Sequence, residues 1–171
     1  MCIRDRLCYF LKDEVTASLL NINLHKGILL TGPVGCGKTT MLSLMRFYEP
    51  IQNRFIIKSC RDISFEFIKE GYETIHKYSR SSFQNQVNKT YCFDDLGTEN
   101  NLKYFGNECN VMAEILLSRY DLFVSRKLVT HLTTNLSATE IEEMYGNRVR
   151  SRMREMFNLV SFGEEIEDKR R

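Results

Sequence analysis

The chain has 171 residues, 43% hydrophobic and 27% charged, with two prolines and a formal net charge of +2. That length and mixture suit one ordinary soluble domain with a proper core, and the charge is too small to argue for a nucleic-acid partner unless a basic surface is local. No apolar run approaches the roughly 20 residues needed to cross a bilayer, no secretory leader is visible, and the six cysteines are scattered without a C-x-x-C pair, which fits a reducing cytoplasm better than a disulfide framework or a zinc site.

In chain order, "MCIRDR" (1–6) reads as a translated adapter remnant. Residues 1–24 are then expected to be a truncated N-terminal segment, ahead of one domain over 25–171. "GILLTG" (27–32) predicts a buried strand, and "TTMLSLMRFY" (39–48) a helix ended by Pro50. "RFIIKSC" (54–60) predicts a second strand, followed by one helix over 63–79 with Asp62 as its cap. Residues 80–89 are loop-like, and "TYCFDD" (90–95) predicts a third strand. A long helix is expected over 109–127, with Val111, Met112, Ile115, Leu116, Leu122 and Phe123 on one face. "KLVTHLTTN" (127–135) is a fourth strand, Ser137 and Glu140 form a capping box for the next helix, and "NLVSF" (158–162) is the last strand. Strands alternating with amphipathic helices predict a parallel α/β sheet covered by helices.

The segment between the first strand and its helix, "GPVGCGKT", fits G-x-x-x-x-G-K-[ST]. Glycines at Gly32, Gly35 and Gly37, with Pro33, Val34 and Cys36 between them, let backbone N–H groups turn inward around phosphate oxygens. Lys38 supplies a point charge to the β- and γ-phosphates, the Thr39 hydroxyl completes a Mg2+ shell, and Thr40 continues the helix start. These residues predict ATP with Mg2+. Asp94 and Asp95 end the third strand, where a parallel sheet presents ligand-facing groups. Asp94 is the expected metal carboxylate and Asp95 the group that polarises the attacking water, with Glu99 as a possible assistant. Asn135 ends the fourth strand, placed to hold that water or sense the γ-phosphate.

In "GNRVRSRMRE" (146–155) the apolar Val149, Met153 and Met156 share a helical face. Arg148 and Arg152, four apart, lie together at its margin, while Arg150 and Arg154 point elsewhere as solvated charge. Arg119 falls inside the apolar face of the long helix and needs a carboxylate partner or a subunit interface. Lys103, Tyr104 and Phe105, and the loop holding Arg80 and Lys89, are candidates for stacking and charge on DNA; a solvated loop explains them equally well.

With "GPVGCGKTT", "FDDLGTE", "THLTTNLS" and "YGNRVRSRMRE" in this order, the chain resembles the AAA+ ATPases of the DnaC-type helicase loaders and IstB-type transposition helpers, especially the short forms of mobile elements and phages. The resemblance covers about residues 25–163. It implies a P-loop NTPase three-layer αβα sandwich, with a five-stranded parallel sheet of order 5-1-4-3-2. It implies ATP-dependent self-association through nucleotide-bridged joints, a replicative helicase or transposase as partner, and contact with single-stranded DNA. It makes Arg152 the arginine finger, acting on the neighbour's γ-phosphate, with Arg148 the second candidate. The chain stops soon after the last strand, so the helical lid is expected to be minimal or absent. A transposition helper, a small-molecule P-loop kinase and a non-catalytic ATP-binding module are the alternatives to a replication ATPase.

Overall fold

The computed structural model describes residues 3–80, 89–99, 102–104 and 107–162. Two helices, α1 (Ile3–Phe10) and α2 (Glu14–Leu19), precede strand β1 (Gly27–Thr31) and helix α3 (Lys38–Met45). Strand β2 (Ile56–Ser59) leads into α4 (Cys60–Glu70) and α5 (Tyr72–Tyr78), and β3 (Tyr91–Leu96) follows. A hairpin of β4 (Leu102–Tyr104) and β5 (Asn107–Cys109) precedes the long helix α6 (Val111–Arg126). The chain continues through β6 (Thr130–Thr134), α7 (Ala138–Tyr145), α8 (Asn147–Met156) and β7 (Phe157–Ser161).

The five-stranded sheet runs β2-β3-β6-β1-β7, and every pairing in it is parallel. Counted over these strands alone from the β7 edge, this is the expected 5-1-4-3-2. Helices cover both faces. On one side Tyr9, Phe10 and Ala17 pack with Ile28, Leu30, Leu42, Phe55 and Cys92, so α1 and α2 share a core with β1 and the helix of the glycine-rich loop. On the other, Leu29, Phe93 and Leu132 meet α4, α6, α7 and α8.

Strand β6 carries more polar atoms into the interior than a sheet centre ordinarily tolerates. All five of its residues are buried, and Thr130, His131, Thr133 and Thr134 are polar. Each has a partner: Thr130 accepts from Arg119, His131 Nδ1 accepts from Ile28 N, Thr133 donates to Asp94, and Thr134 donates to the Leu96 carbonyl. A buried polar group is tolerated when it is hydrogen-bonded, and here each bond also ties β6 to a neighbouring element.

Local expectations fail where tertiary contacts decide. Ser59, not Asp62, caps α4, because its side chain accepts from the Asp62 amide at 3.4 Å. The single helix expected over 63–79 is two, broken at Gly71, whose φ of +61° no helix accommodates. The long helix starts at Val111 behind an Asn110 cap, because residues 107–109 pair back onto β4. The capping box of Ser137 and Glu140 forms as read, with both bonds present. Arg119 is a correction. It is fully buried and therefore no subunit contact. Its guanidinium is clamped by Thr130 Oγ1 at 2.6 Å and the carbonyls of Tyr78, Val129 and Lys89, and it lies over the rings of Tyr91 and Phe93. The expectation about a lid falls on residues after 162, outside the described residues.

Candidate nucleotide site

The loop after β1 turns through Gly37 at φ +90°, a left-handed torsion that glycine adopts without strain. A Cβ there would meet nothing within 4 Å, so glycine is required by torsion rather than by space. Gly35 and Cys36 are buried, Pro33 and Val34 exposed, and Thr40 is exposed on the first turn of α3. Lys38 is only 6% exposed, and its ammonium donates to the Gly32 carbonyl at 2.8 Å and the Pro33 carbonyl at 2.9 Å. The charge is thus held within its own loop, where phosphate oxygens are the stronger acceptors.

The sequence motif and the acidic strand end, 55 residues apart, meet at one bond. The Thr39 hydroxyl lies 2.9 Å from each oxygen of Asp94. Asp94 is 9% exposed and also accepts from Thr133 Oγ1 at 2.6 Å. The register explains how two adjacent aspartates share this end. Phe93 pairs with Leu132 and Leu96 with Thr134, so β3 spends one extra residue opposite Thr133. This bulge sets Asp95 at φ +56°, a torsion aspartate tolerates better than most residues, and leaves it exposed while Asp94 stays buried. The Asp95 amide donates to Thr133 Oγ1 at 2.8 Å, so one threonine hydroxyl fixes both aspartates. Asn135 is exposed just beyond β6, the strand beside β3.

Thr133 was not singled out by sequence, although it stands inside "THLTTN". Threonine is an ordinary strand former, and only its place opposite the bulge reveals the role. Glu99 is held otherwise than expected. It is 5% exposed, accepts from the Gly97 amide at 3.0 Å, and is bonded by the Tyr145 hydroxyl, so it is engaged elsewhere rather than available to activate water.

The donor set suits magnesium: a hydroxyl and a carboxylate, all oxygen, beside a phosphate-shaped loop. Among the described residues no group of three or more His, Cys, Asp or Glu side chains forms a metal cage. Magnesium at nucleotide sites takes few protein ligands and completes its shell with water and phosphate. The thiols of Cys60 and Cys92 are pushed well above their usual range by burial, which makes them packing groups rather than nucleophiles.

The arginine segment lies on α8, and its apolar residues Val149, Met153 and Met156 are buried as expected. Arg148 and Arg152 come together with Tyr120, Asn147, Ser151 and Glu155 around an open hollow of about 470 Å3. The Arg152 guanidinium sits 4.6 Å over the Tyr120 ring, and the Tyr120 hydroxyl donates to Glu155 at 2.8 Å. Arg150 departs from the reading as solvated charge, because it pairs with Glu142 of α7. Arg150 and Arg154 flank a separate apolar crevice with Leu29, Ile141 and Leu159. Of the candidate DNA residues, Lys103 and Tyr104 lie on β4, Arg80 and Lys89 are exposed, and Phe105 lies outside the described residues.

No family model and no curated protein matches the chain. Solved structures do. The DnaC helicase loader superposes at a TM-score of 0.56 with 20% identity, over 90% of each chain. A putative primosome component from Streptococcus pyogenes serotype M3 gives 0.61 at 17% identity, over 90% of this chain and 78% of that one. AMPPCP-bound DnaA from Aquifex aeolicus gives 0.54 at 22% identity, over 87% of this chain and 44% of that one. At such identities the likeness is one of fold, and with the sheet order it makes this chain an α/β P-loop NTPase fold. Among the described residues no helix is long and apolar enough to cross a membrane.

Proposed function

We propose that this chain is an AAA+ ATPase subunit of helicase-loader type, which binds ATP with magnesium and hydrolyses it at a joint between subunits during DNA replication. The observation that carries the reading is the bond from Thr39 to Asp94, which joins the phosphate loop to the acidic strand end in one cluster. Loop N–H groups and Lys38 hold the phosphates. Thr39 and Asp94 would hold magnesium, which would offset negative charge on the nucleotide's phosphates. Asp95 polarises the attacking water, and Asn135, just past the end of the neighbouring strand, orients it.

Arg148 and Arg152 stand on an open face of α8, whereas Arg119 is locked in the core. Arg152 therefore serves the γ-phosphate of a neighbouring subunit, with Arg148 beside it. A replicative helicase and single-stranded DNA are the partners this reading implies, by likeness to the loaders.

The test is ATPase rate per subunit against protein concentration, with and without single-stranded DNA. Wild type should turn over slowly when dilute and rise on assembly, and Arg152→Ala should remove most of the rise, about a thousandfold at full assembly. Mixing Arg152→Ala with Asp95→Asn subunits should restore activity, since each supplies what the other lacks. A rate independent of concentration and untouched by Arg152→Ala would sink the trans-acting arginine. Phosphate transfer to a small acceptor would identify a kinase instead.

A further inference from the structure

Glu99 is a carboxylate that the proposed chemistry does not use, yet it is buried within five residues of Asp94. Burying a carboxylate is costly unless its oxygens are hydrogen-bonded, so its partners are held firmly. One oxygen takes the Gly97 amide at 3.0 Å, and the other takes the hydroxyl of Tyr145, itself 7% exposed. Burial first, and then the Glu99 charge, push the Tyr145 hydroxyl above its usual range, which keeps it a donor.

The two ends of this contact belong to different parts of the joint. Toward the nucleotide, the Thr98 amide and hydroxyl both donate to the Asp95 carbonyl, at 3.2 and 2.8 Å, and Gly97 packs against Leu136. The loop that Glu99 closes is therefore the loop that carries Asp95. Toward the neighbour, Tyr145 is the last residue of α7, and Asn110 Nδ2 secures the adjoining Met144 carbonyl at 3.0 Å. One residue on, Gly146 at φ +84° turns the chain into α8 and its arginines.

We propose that Glu99 and Tyr145 are positioning residues that couple the acidic strand end of one subunit to the arginine helix the same subunit offers to its neighbour. The coupling rests on the trans-acting reading of Arg152. A shift of the Asp95 loop cannot leave Tyr145 behind without stranding a buried carboxylate, so the α7–α8 elbow moves with it. The state of one nucleotide site thereby sets how well the next is completed.

The mixed-subunit assay separates this from the reading beneath it. Arg152→Ala subunits act as acceptors and Asp95→Asn subunits as arginine donors. Adding Glu99→Gln or Tyr145→Phe to the donor should lower the activity of the mixture about fivefold, the size expected for a coupling of this kind. No activity in the unmodified mixture would overturn the trans arginine, and the coupling with it. Restored activity that donor substitutions leave unchanged would overturn the coupling alone. So would a loss seen only when Glu99→Gln is placed in the acceptor, because Glu99 would then merely prop its own loop. If Glu99→Gln does not melt cooperatively, Tyr145→Phe, which keeps the ring, carries the same test.

Discussion

Asp94 is almost fully buried and takes hydrogen bonds from two threonine hydroxyls, whereas Arg148 and Arg152 line an open hollow and Arg152 rests on the face of a tyrosine. The first arrangement is prebuilt. Its carboxylate, loop lysine and threonines are fixed by contacts within one chain, so little remains to be reorganised when charge develops. The second is held loosely enough to reach outward, since an exposed cation–π contact is worth only about 0.5–1 kcal/mol. The contrast teaches that the acidic half of the proposed site is finished within the subunit, and on the trans-acting proposal the arginine half is held ready for another.

The largest test of this contrast falls on Thr133, which joins both aspartates. Thr133→Val removes a hydrogen bond to a charged group, worth about 1.5–3 kcal/mol, or about tenfold to a hundredfold in turnover. Because Thr133 serves the finished half, the loss should be the same in dilute and concentrated protein. A loss that vanishes on concentrating the protein would erase the distinction between the halves.

A smaller effect comes from His131, two residues earlier on the same face of β6. It is buried among the rings of Tyr9, Phe10 and Phe55, and burial lowers its pKa from 6.5 to about 3. The unfolded chain therefore takes up a proton before the folded one does. Stability should be complete above about pH 6.5 and fall as pH drops toward about 3, by about 2 kcal/mol at pH 5. Urea melts at pH 5 and pH 8 measure the difference, and His131→Phe should flatten it. An unchanged slope in that variant would show that the seat of the finished half does not depend on a neutral imidazole.

The smallest effect sharpens the contrast along α8 itself. Arg154 is exposed and lies away from the hollow of Arg148 and Arg152. Arg154→Ala should change stability by less than about 0.5 kcal/mol and turnover by less than about twofold. Activity measured in the assembled state should thus separate Arg152 from its neighbour two residues away. Equal losses would return the whole segment to a general basic surface.

Much of the finished half was legible in the sequence because its chemistry is contiguous. A phosphate loop needs its glycines, lysine and threonine at fixed spacing along one turn, and the aspartates end a recognisable apolar strand. The helical spacing of Val149, Met153 and Met156 likewise sorted Arg148 and Arg152 to one side. What escaped were roles set across the sheet. Thr133 meets Asp94 across 39 residues, and Tyr145 meets Glu99 across 46. Arg119 gave no sign in the sequence of the carbonyls from three segments and the Thr130 hydroxyl that gather around its guanidinium.

The sequence by itself determined the strand–helix alternation, the phosphate loop and the faces of α8, because each depends on residues close in the chain and on a fixed local period. The tertiary structure alone decided the bulge that separates Asp94 from Asp95, the threonine that holds both, and the engagement of Glu99 by Tyr145. Those depend on which strands become neighbours and in what register. A one-residue difference in register reassigns every facing side chain, and no local pattern records it.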